Sequence, residues 1–570
     1  MGSTFQLAAP RDRSPWLWLH LASLVGILGV LVYVNSGQWF FGDEWDFLLK
    51  RGFHDAEWGF FRPHNEHWST VPIVFYRAVF SVFGMRTYWP YLLGLFAMHL
   101  VVVHSVWRLM RRAGVAAPLS TGVALVVGLF GAGAENLLWA FQIGFVGSVA
   151  AGLLLVLAVD EEGSRNRVIA VALGAVASLM FSGISVVMVG SLGLAAFARW
   201  GWRRAVAVVA PAALIYLAWL KVYGEVGLRG GTEQYRGALG DMPGYVWGGM
   251  AETLGRPLHS RRVGDVLLAL LLVAVALRIR AWWRAAPELL AVAAAAPAMF
   301  AVISQGRGAI QDPSAGRYLY LCAALVLPLV GYAFNPLVRE RVAAQWVAVA
   351  ACLALTLSGI DLLRDHARYE RTRELTLKGQ MLASMNVGNE AFVSDTPDYQ
   401  WATEVRVEAL LVLRAKGILP DIAVNELNIA SARLALQING LSGPSGGPYD
   451  APLGGGVADV PAAATTRPVR QNDDCLEVDL HGANLLIETV KKPGTPDRPN
   501  ASLALFTVTP TSTEKARVFV PYPDGNAGPR AFDLTRGKTI LFQDAVPGPA
   551  LFQLPPGPNV ICGLKWRTSK

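Results

Sequence analysis

The sequence predicts a polytopic α-helical membrane protein of about eleven spans, followed by an extracytoplasmic α+β tail that ends in a β-sandwich. Three observations carry this expectation. The 570-residue chain is 53% hydrophobic and only 16% charged, a balance that soluble proteins seldom show. Apolar runs of helix-spanning length recur from Trp16 to about Ile360. Beyond that point the runs shorten, first to helical periodicity and then to alternation between Pro, Gly and Asp turns.

Residues 16–34 form the first span. They lack a small-residue cleavage site and are long enough to cross, which argues against a removable leader. Residues 71–83 are a short amphipathic run suited to the membrane interface. Spans follow at 89–109, 116–130 and about 141–159. The stretch 168–198 is too long for one crossing, and Ser182-Gly183 at its centre predicts a hairpin of two short spans. Residues 205–223, 263–277, 289–304, 318–334 and 342–360 complete the set.

Orientation follows from the basic turns. With Arg11 and Arg13 inside, the turns RLMRR, SRNR, RWGWRR, RIRAWWR and VRER all fall in the cytoplasm. That clustering accounts for the formal net charge of +8 without nucleic acid as a partner. The loops holding DEWD, HNEH, AENLLWAFQ, 224–262 and GRGAIQDPSAGR then face outward from a plasma (inner) membrane, as does the tail. The division expected is a membrane domain at 1–360, an α-rich segment at 361–440, a Gly/Pro linker at 441–464 and a β-sandwich at 465–570. Cys475 and Cys562 lie near the two ends of the β-rich part, where an exported tail can join them in a disulfide. Cys322 and Cys352 sit in apolar runs as buried small residues.

The residues with chemistry gather in the outward loops. Asp43, Glu44 and Asp46 sit just past the first span among Trp39, Phe40, Phe41 and Trp45. Carboxylates at that depth are costly to desolvate and need a partner, a wet cleft or a task. On a short helix Asp43 and Asp46 would share a face, with Glu44 turned aside. His64, Glu66 and His67 form a second polar knot. They suit the polar lining of a cleft that binds a sugar or acceptor, and two imidazoles with a carboxylate can also ligate a divalent metal, though without an i, i+4 His pair. Glu135, Asn136, Trp139 and Gln142 supply an acid, planar amides and an aromatic face, the inventory of a sugar site and equally of an interfacial anchor. Arg307 and Arg317 flank the last outward loop, and Arg317 with Tyr318 opens a span. A guanidinium at headgroup depth on this side can bind a phosphate bidentately or simply snorkel.

Taken together, GDEWD (Asp43, Glu44, Asp46), GRYLY (Arg317, Tyr318) and the layout of residues 16–360 resemble the GT-C superfamily, the membrane glycosyltransferases that use polyprenyl-phosphate-linked sugars. The resemblance implies a GT-C-like fold, with Asp43 as catalytic carboxylate and Glu44 or Asp46 in reserve. Arg317, Arg307 and Tyr318 would hold the donor phosphate. A glycan or glycolipid would be the acceptor, and membrane lipid would surround the site. No cofactor is required; a divalent metal on His64, Glu66 and His67 is the open alternative. The composition of the tail is similar to the carbohydrate-binding β-sandwich of some arabinofuranosyltransferases. The implied reaction is a single displacement in which an acceptor hydroxyl attacks the anomeric carbon as the lipid phosphate leaves. The rival classes are a transporter or flippase for a lipid-linked substrate, which would prefer ionisable groups inside spans, and a non-catalytic envelope scaffold, in which the acidic cluster would be dispensable. The enzyme reading requires Asp43 and Arg317 to meet across one pocket.

Overall fold

The computed structural model describes residues 15–52, 58–228, 237–386, 397, 402, 405–424, 428, 432, 456–469, 475–489, 504–511, 514–519, 529–534, 540–544, 549–554 and 556–568. The chain divides into two compact units, Met1–Arg371 and Thr372–Lys570.

The first unit is helical. Seven described helices are long and apolar enough to cross a membrane: Pro15–Val34 (α1), Trp89–Arg112, Ala140–Ala158, Trp202–Gly224, Pro287–Arg307, Gly316–Val338 and Val342–Ser384. The protein is thus a polytopic membrane protein, with large apolar side chains such as Trp18, Leu214 and Leu277 directed outward, as lipid-facing positions require. The other four stretches expected to span are helical but shorter or more charged. Ala117–Gly128 has 12 residues, Arg165–Ser178 has 14 and Ile184–Trp200 has 17, below the roughly 20 that a perpendicular crossing needs. Arg261–Ala285 reaches 25 residues but carries arginines in both end turns.

The expected break at Ser182-Gly183 is real. The helices Arg165–Ser178 and Ile184–Trp200 end and start around it. Ser182 Oγ meets Ser148 Oγ at 2.8 Å and accepts the Ile184 N–H at 3.2 Å, so the interrupted backbone keeps its partners.

Three short helices position the loops that matter. Glu44–Leu49 (α2) follows α1 at once, and Thr70–Phe83 (α3) buries Thr70, Pro72, Ile73 and Tyr76 while leaving Val74, Val82 and Phe83 exposed. Glu135–Leu138 follows a turn at Gly131–Gly133. That turn touches the helix Val342–Ser384 backbone to backbone. A Cβ on Gly131 would lie 1.9 Å from the Gly359 carbonyl oxygen, and one on Gly359 would lie 2.1 Å from that of Leu129. Only glycine allows this approach, and it sets the height at which Glu135 and Trp139 emerge.

The second unit holds the end of the 43-residue helix Val342–Ser384, a helix at Val407–Ala415 and two sheets. The short helix stops at Gly417, whose φ of 64° is the left-handed termination glycine favours. In chain order the strands are Gly456–Val460 (β1), Thr465–Pro468 (β2), Cys475–Asp479 (β3), Leu485–Thr489 (β4), Ala504–Pro510 (β5), Glu514–Phe519 (β6), Pro529–Leu534 (β7), Ile540–Asp544 (β8), Pro549–Gln553 (β9), Asn559–Cys562 (β10) and Leu564–Thr568 (β11). The six-stranded sheet has the order β11-β1-β4-β9-β6-β7, and the five-stranded sheet β2-β3-β10-β5-β8. Pairings are antiparallel except β1 (Gly456–Val460) with β11 (Leu564–Thr568). Of the linker proposed at 441–464, residues 441–455 lie outside the described residues. Cys475 on β3 (Cys475–Asp479) stands opposite Cys562 on β10 (Asn559–Cys562), and the two form a disulfide; Cys322 and Cys352 are free and buried.

Maleimide titration of the denatured protein should therefore count two thiols before reduction and four after. Four thiols in unreduced protein would exclude the bridge.

Candidate active site

The loop after α1 turns at Gly42, whose φ of 58° suits glycine. Asp43 stands at the N-cap position of α2 without a side-chain capping bond, and the three-residue spacing brings Asp43 and Asp46 to one face. Glu44 turns the other way and is fully buried. Its Oε1 accepts from the Tyr88 hydroxyl at 2.6 Å and from the Tyr76 hydroxyl, and its Oε2 from the Phe41 N–H at 2.8 Å. Burial pushes its carboxyl up to about 7, against the pull of these donors. The Tyr88 oxygen in turn accepts the Ala140 N–H at 2.9 Å. Glu44 is a clasp between the first loop, α3 and the Trp139 loop.

Asp46 is held by a residue the sequence did not single out. Arg51, 1% exposed, donates Nε and Nη2 to Asp46 Oδ2 at 3.0 and 2.8 Å. Its remaining N–H groups reach the carbonyls of Arg62 at 2.7 Å, Pro63 at 3.0 Å and Gly59 at 3.4 Å. A buried guanidinium so fully bonded fixes everything around it. His64 Nδ1 also meets Asp46 Oδ2, at 2.8 Å, while His64 Nε2 lies 3.6 Å from Asp43 Oδ2. Burial opposes the imidazolium, but the carboxylates of Asp43 and Asp46 outweigh it and raise His64 to about 9. Burial likewise opposes ionisation of Asp43 and Asp46. His64, aided by Arg307 and Arg317 at Asp43 and by Arg51 at Asp46, holds both below the usual carboxylate range.

The second knot is a two-residue turn. His64 and His67 exchange backbone hydrogen bonds at 3.0 and 2.9 Å across Asn65, whose φ is 50°, a conformation asparagine tolerates better than most residues. The turn aims Glu66 at Arg307, with Oε2 2.5 Å from Nη2. His67 Nδ1 accepts the Gly183 N–H at 3.3 Å, and its Nε2 lies 3.5 Å from Glu66 Oε1. Burial lowers His67 toward the neutral form.

On the far side, Arg317 Nη1 donates to Glu135 at 2.7 Å and Nη2 to Gln311 at 2.5 Å, and its guanidinium lies 5.3 Å from the Tyr318 ring centre. Gln142 Nε2 meets Glu135 at 3.4 Å. Trp139 Nε1 donates to the Phe41 carbonyl at 3.2 Å, tying this loop to the first.

These groups enclose one cavity of about 590 Å³. Asp43, His64, Glu66, His67, Gln142, Arg307, Arg317 and Tyr318 all line it, so residues separated by more than 270 positions meet at one wall. Glu44 and Asp46 do not open to it; their carboxylates serve the loop. Asn136, expected with Glu135 as a sugar contact, is fully buried, and neither residue is among those lining the cavity. Glu135 instead backs Arg317. Of the three residues offered as metal ligands, His64 meets Asp46, Glu66 meets Arg307 and His67 accepts from Gly183. Among the described residues no group of three or more His, Cys, Asp or Glu could hold an ion. The apolar wall comes from Phe145, Ile184, Val187, Leu220, Val302 and Ile303. Tyr216 and Trp219 join it, with Trp219 stacked on Trp68 at 5.1 Å. These aromatics read as ordinary members of an apolar span and carried no separate signal.

No family profile and no curated protein matches the chain. Among solved structures it is similar to ArnT from Cupriavidus metallidurans bound to undecaprenyl phosphate, at 14% identity and a TM-score of 0.44, over 67% of this chain and 82% of that one. It is also similar to the arabinosyltransferase EmbB from Mycobacterium smegmatis, at 13% identity and a TM-score of 0.33, over 98% of this chain and 66% of that one.

Removing Arg51 strands the Asp46 carboxylate in a buried site, so Arg51→Met should cost about 3–5 kcal/mol of stability, read by denaturation in detergent. The His64 charge stabilises the fold fully below its ordinary value of 6.5 and ceases to do so as pH rises through about 9. The melting temperature of the wild type should therefore fall toward that of H64Q across this window. A constant difference from pH 6 to 10 would contradict the ion pairing.

Proposed function

We propose that the protein is a GT-C-type membrane glycosyltransferase that moves a sugar from a polyprenyl-phosphate donor to an extracytoplasmic glycan, lipid or protein acceptor. One observation carries the reading. Of the three clustered carboxylates, Asp43 alone lines the cavity, its side chain 46% exposed against 3% for Asp46, and Arg307 and Arg317 line the same space. An acid open to a cavity, facing two cations, is the arrangement a displacement at a glycosyl phosphate needs.

The acceptor oxygen forms its bond to the anomeric carbon and loses its proton to Asp43. The bond from that carbon to the phosphate oxygen breaks, and its electron pair leaves with the polyprenyl phosphate. The hydroxyl turns acidic only as its oxygen commits to carbon, so the base must be ionised and aimed rather than strongly basic. His64 supplies both conditions, and Asp46 with Arg51 holds His64 in place. Arg317 and Arg307 stabilise the charge that grows on the departing phosphate. Ile184, Val187, Leu220, Val302 and Ile303 offer an apolar wall for the isoprenoid chain beside them. A volume of about 590 Å³ accommodates a glycosyl phosphate with part of an acceptor. The Cys475–Cys562 disulfide supports an extracytoplasmic tail, since such bridges persist in oxidising compartments. A carbohydrate-binding role for that tail fits its two-sheet build.

Asp43→Asn should lower transfer from a radiolabelled polyprenyl-phosphate sugar by roughly 10²–10⁴-fold while lipid-phosphate binding persists. Arg317→Ala should weaken both. Undiminished transfer by D43N removes Asp43 from the mechanism.

A further inference from the structure

The two cavity arginines are held in different ways. Arg317 is backed from behind: Glu135 and Gln311 accept from it at 2.7 and 2.5 Å, and Glu135 stays outside the cavity lining. Arg307 is faced from the front. Glu66 Oε2 sits 2.5 Å from its Nη2, and Glu66 is itself part of the cavity wall. The Glu66 carboxylate thus covers the side of Arg307 that an anion in the cavity would approach. Glu66 also has somewhere to go. His67 Nδ1 accepts the Gly183 N–H, which places the imidazole proton on Nε2, 3.5 Å from Glu66 Oε1. A carboxylate leaving Arg307 has that donor within reach and is not stranded.

We propose that Glu66 is a resident substitute for the donor phosphate: the lipid phosphate displaces its carboxylate from Arg307, and His67 retains it. The proposal rests on the phosphate reading of Arg307 and adds an order of events to it. The exchange is anion for anion, so Arg307 is never left uncompensated at the membrane interface, where an unpaired charge is costly. It also frees a carboxylate into the cavity only when the donor is seated, so a hydroxyl-rich second substrate meets its polar contact after the donor and not before. Arg317, fixed from behind, is the constant half of the seat.

The test uses the full-length protein in lipid nanodiscs with polyprenyl phosphate as the probe. Glu66→Gln removes the competing charge, and affinity should rise roughly 2–5-fold, the range expected for loss of a partly exposed ion pair. If Glu66 only orients Arg307, the same variant binds more weakly or equally, and the proposal is overturned. Should E66Q fail to fold, the wild type decides. Carbodiimide coupling of glycine ethyl ester to Glu66, mapped by peptide mass spectrometry, should increase when polyprenyl phosphate is added; unchanged or reduced coupling overturns the exchange. Failure of the wild type to bind polyprenyl phosphate at all would instead defeat the donor reading of the cavity, and the exchange with it.

Discussion

The site depends on one buried cation. Arg51 is 1% exposed and spends its N–H groups on Asp46 and on three backbone carbonyls between Gly59 and Pro63. Taking a guanidinium out of water costs several kcal/mol unless every donor finds a partner. Only one course of the chain meets that demand, with α2 on one side and residues 59–63 wrapped on the other. The same wrap delivers His64 to the far side of Asp46 Oδ2, and from there its Nε2 faces Asp43. The imidazolium that helps keep the proposed base ionised is thus held in place by a residue that does not line the cavity.

Around this knot the protein joins remote segments by pairing charge across them. Glu66 meets Arg307, and Glu135 meets Arg317. Each pair is partly buried, so neither partner can be left alone cheaply. Tyr88 and Trp139 add neutral ties between the same loops. The glycine contact between Gly131 and Gly359 works on the backbone instead, letting the Trp139 loop sink against a helix without a side chain between. The result is a set of loops set in place by helices rather than a flexible cover, which is what pre-organised electrostatics requires.

The sequence disclosed the parts that announce themselves by being misplaced. Carboxylates and guanidiniums at the edge of apolar runs have few bland explanations, and Asp43, Glu66, Arg307 and Arg317 stood out for that reason. The break at Ser182-Gly183 was legible because a single apolar helix of that length is longer than one bilayer crossing needs. What escaped was partnership. Arg51 follows the apolar Phe47, Leu48 and Leu49 beside Lys50 and looks like any basic residue at the end of a short helix. Its role appears only once the chain has doubled back through Pro63. Tyr76 and Tyr88, which hold Glu44, belong to an amphipathic run and to a span boundary where tyrosine is ordinary. The burial of Asn136 was not legible either, because an amide next to an acid in an outward loop reads as exposed. Span number was blurred where helices are short, as in Ala117–Gly128, or carry arginines at both ends, as in Arg261–Ala285.

Three adjacent acids within four positions end in three different states, and the difference comes from neighbours. Glu44 is enclosed by Phe40, Tyr76, Tyr88 and Tyr91, where burial favours its neutral form near pH 7 despite the donors on it. Asp46 is sealed against Arg51 and His64 and stays ionised. Asp43 shares His64 but keeps its side chain open to the cavity. A cluster of three ionised acids in so small a volume would repel itself by more than the loop could sustain. Holding Glu44 toward neutrality and pairing Asp46 with Arg51 leaves the His64 charge shared between Asp46 and Asp43. The cluster is therefore one carboxylate open to the cavity, the base proposed above, and the apparatus that lets it remain charged.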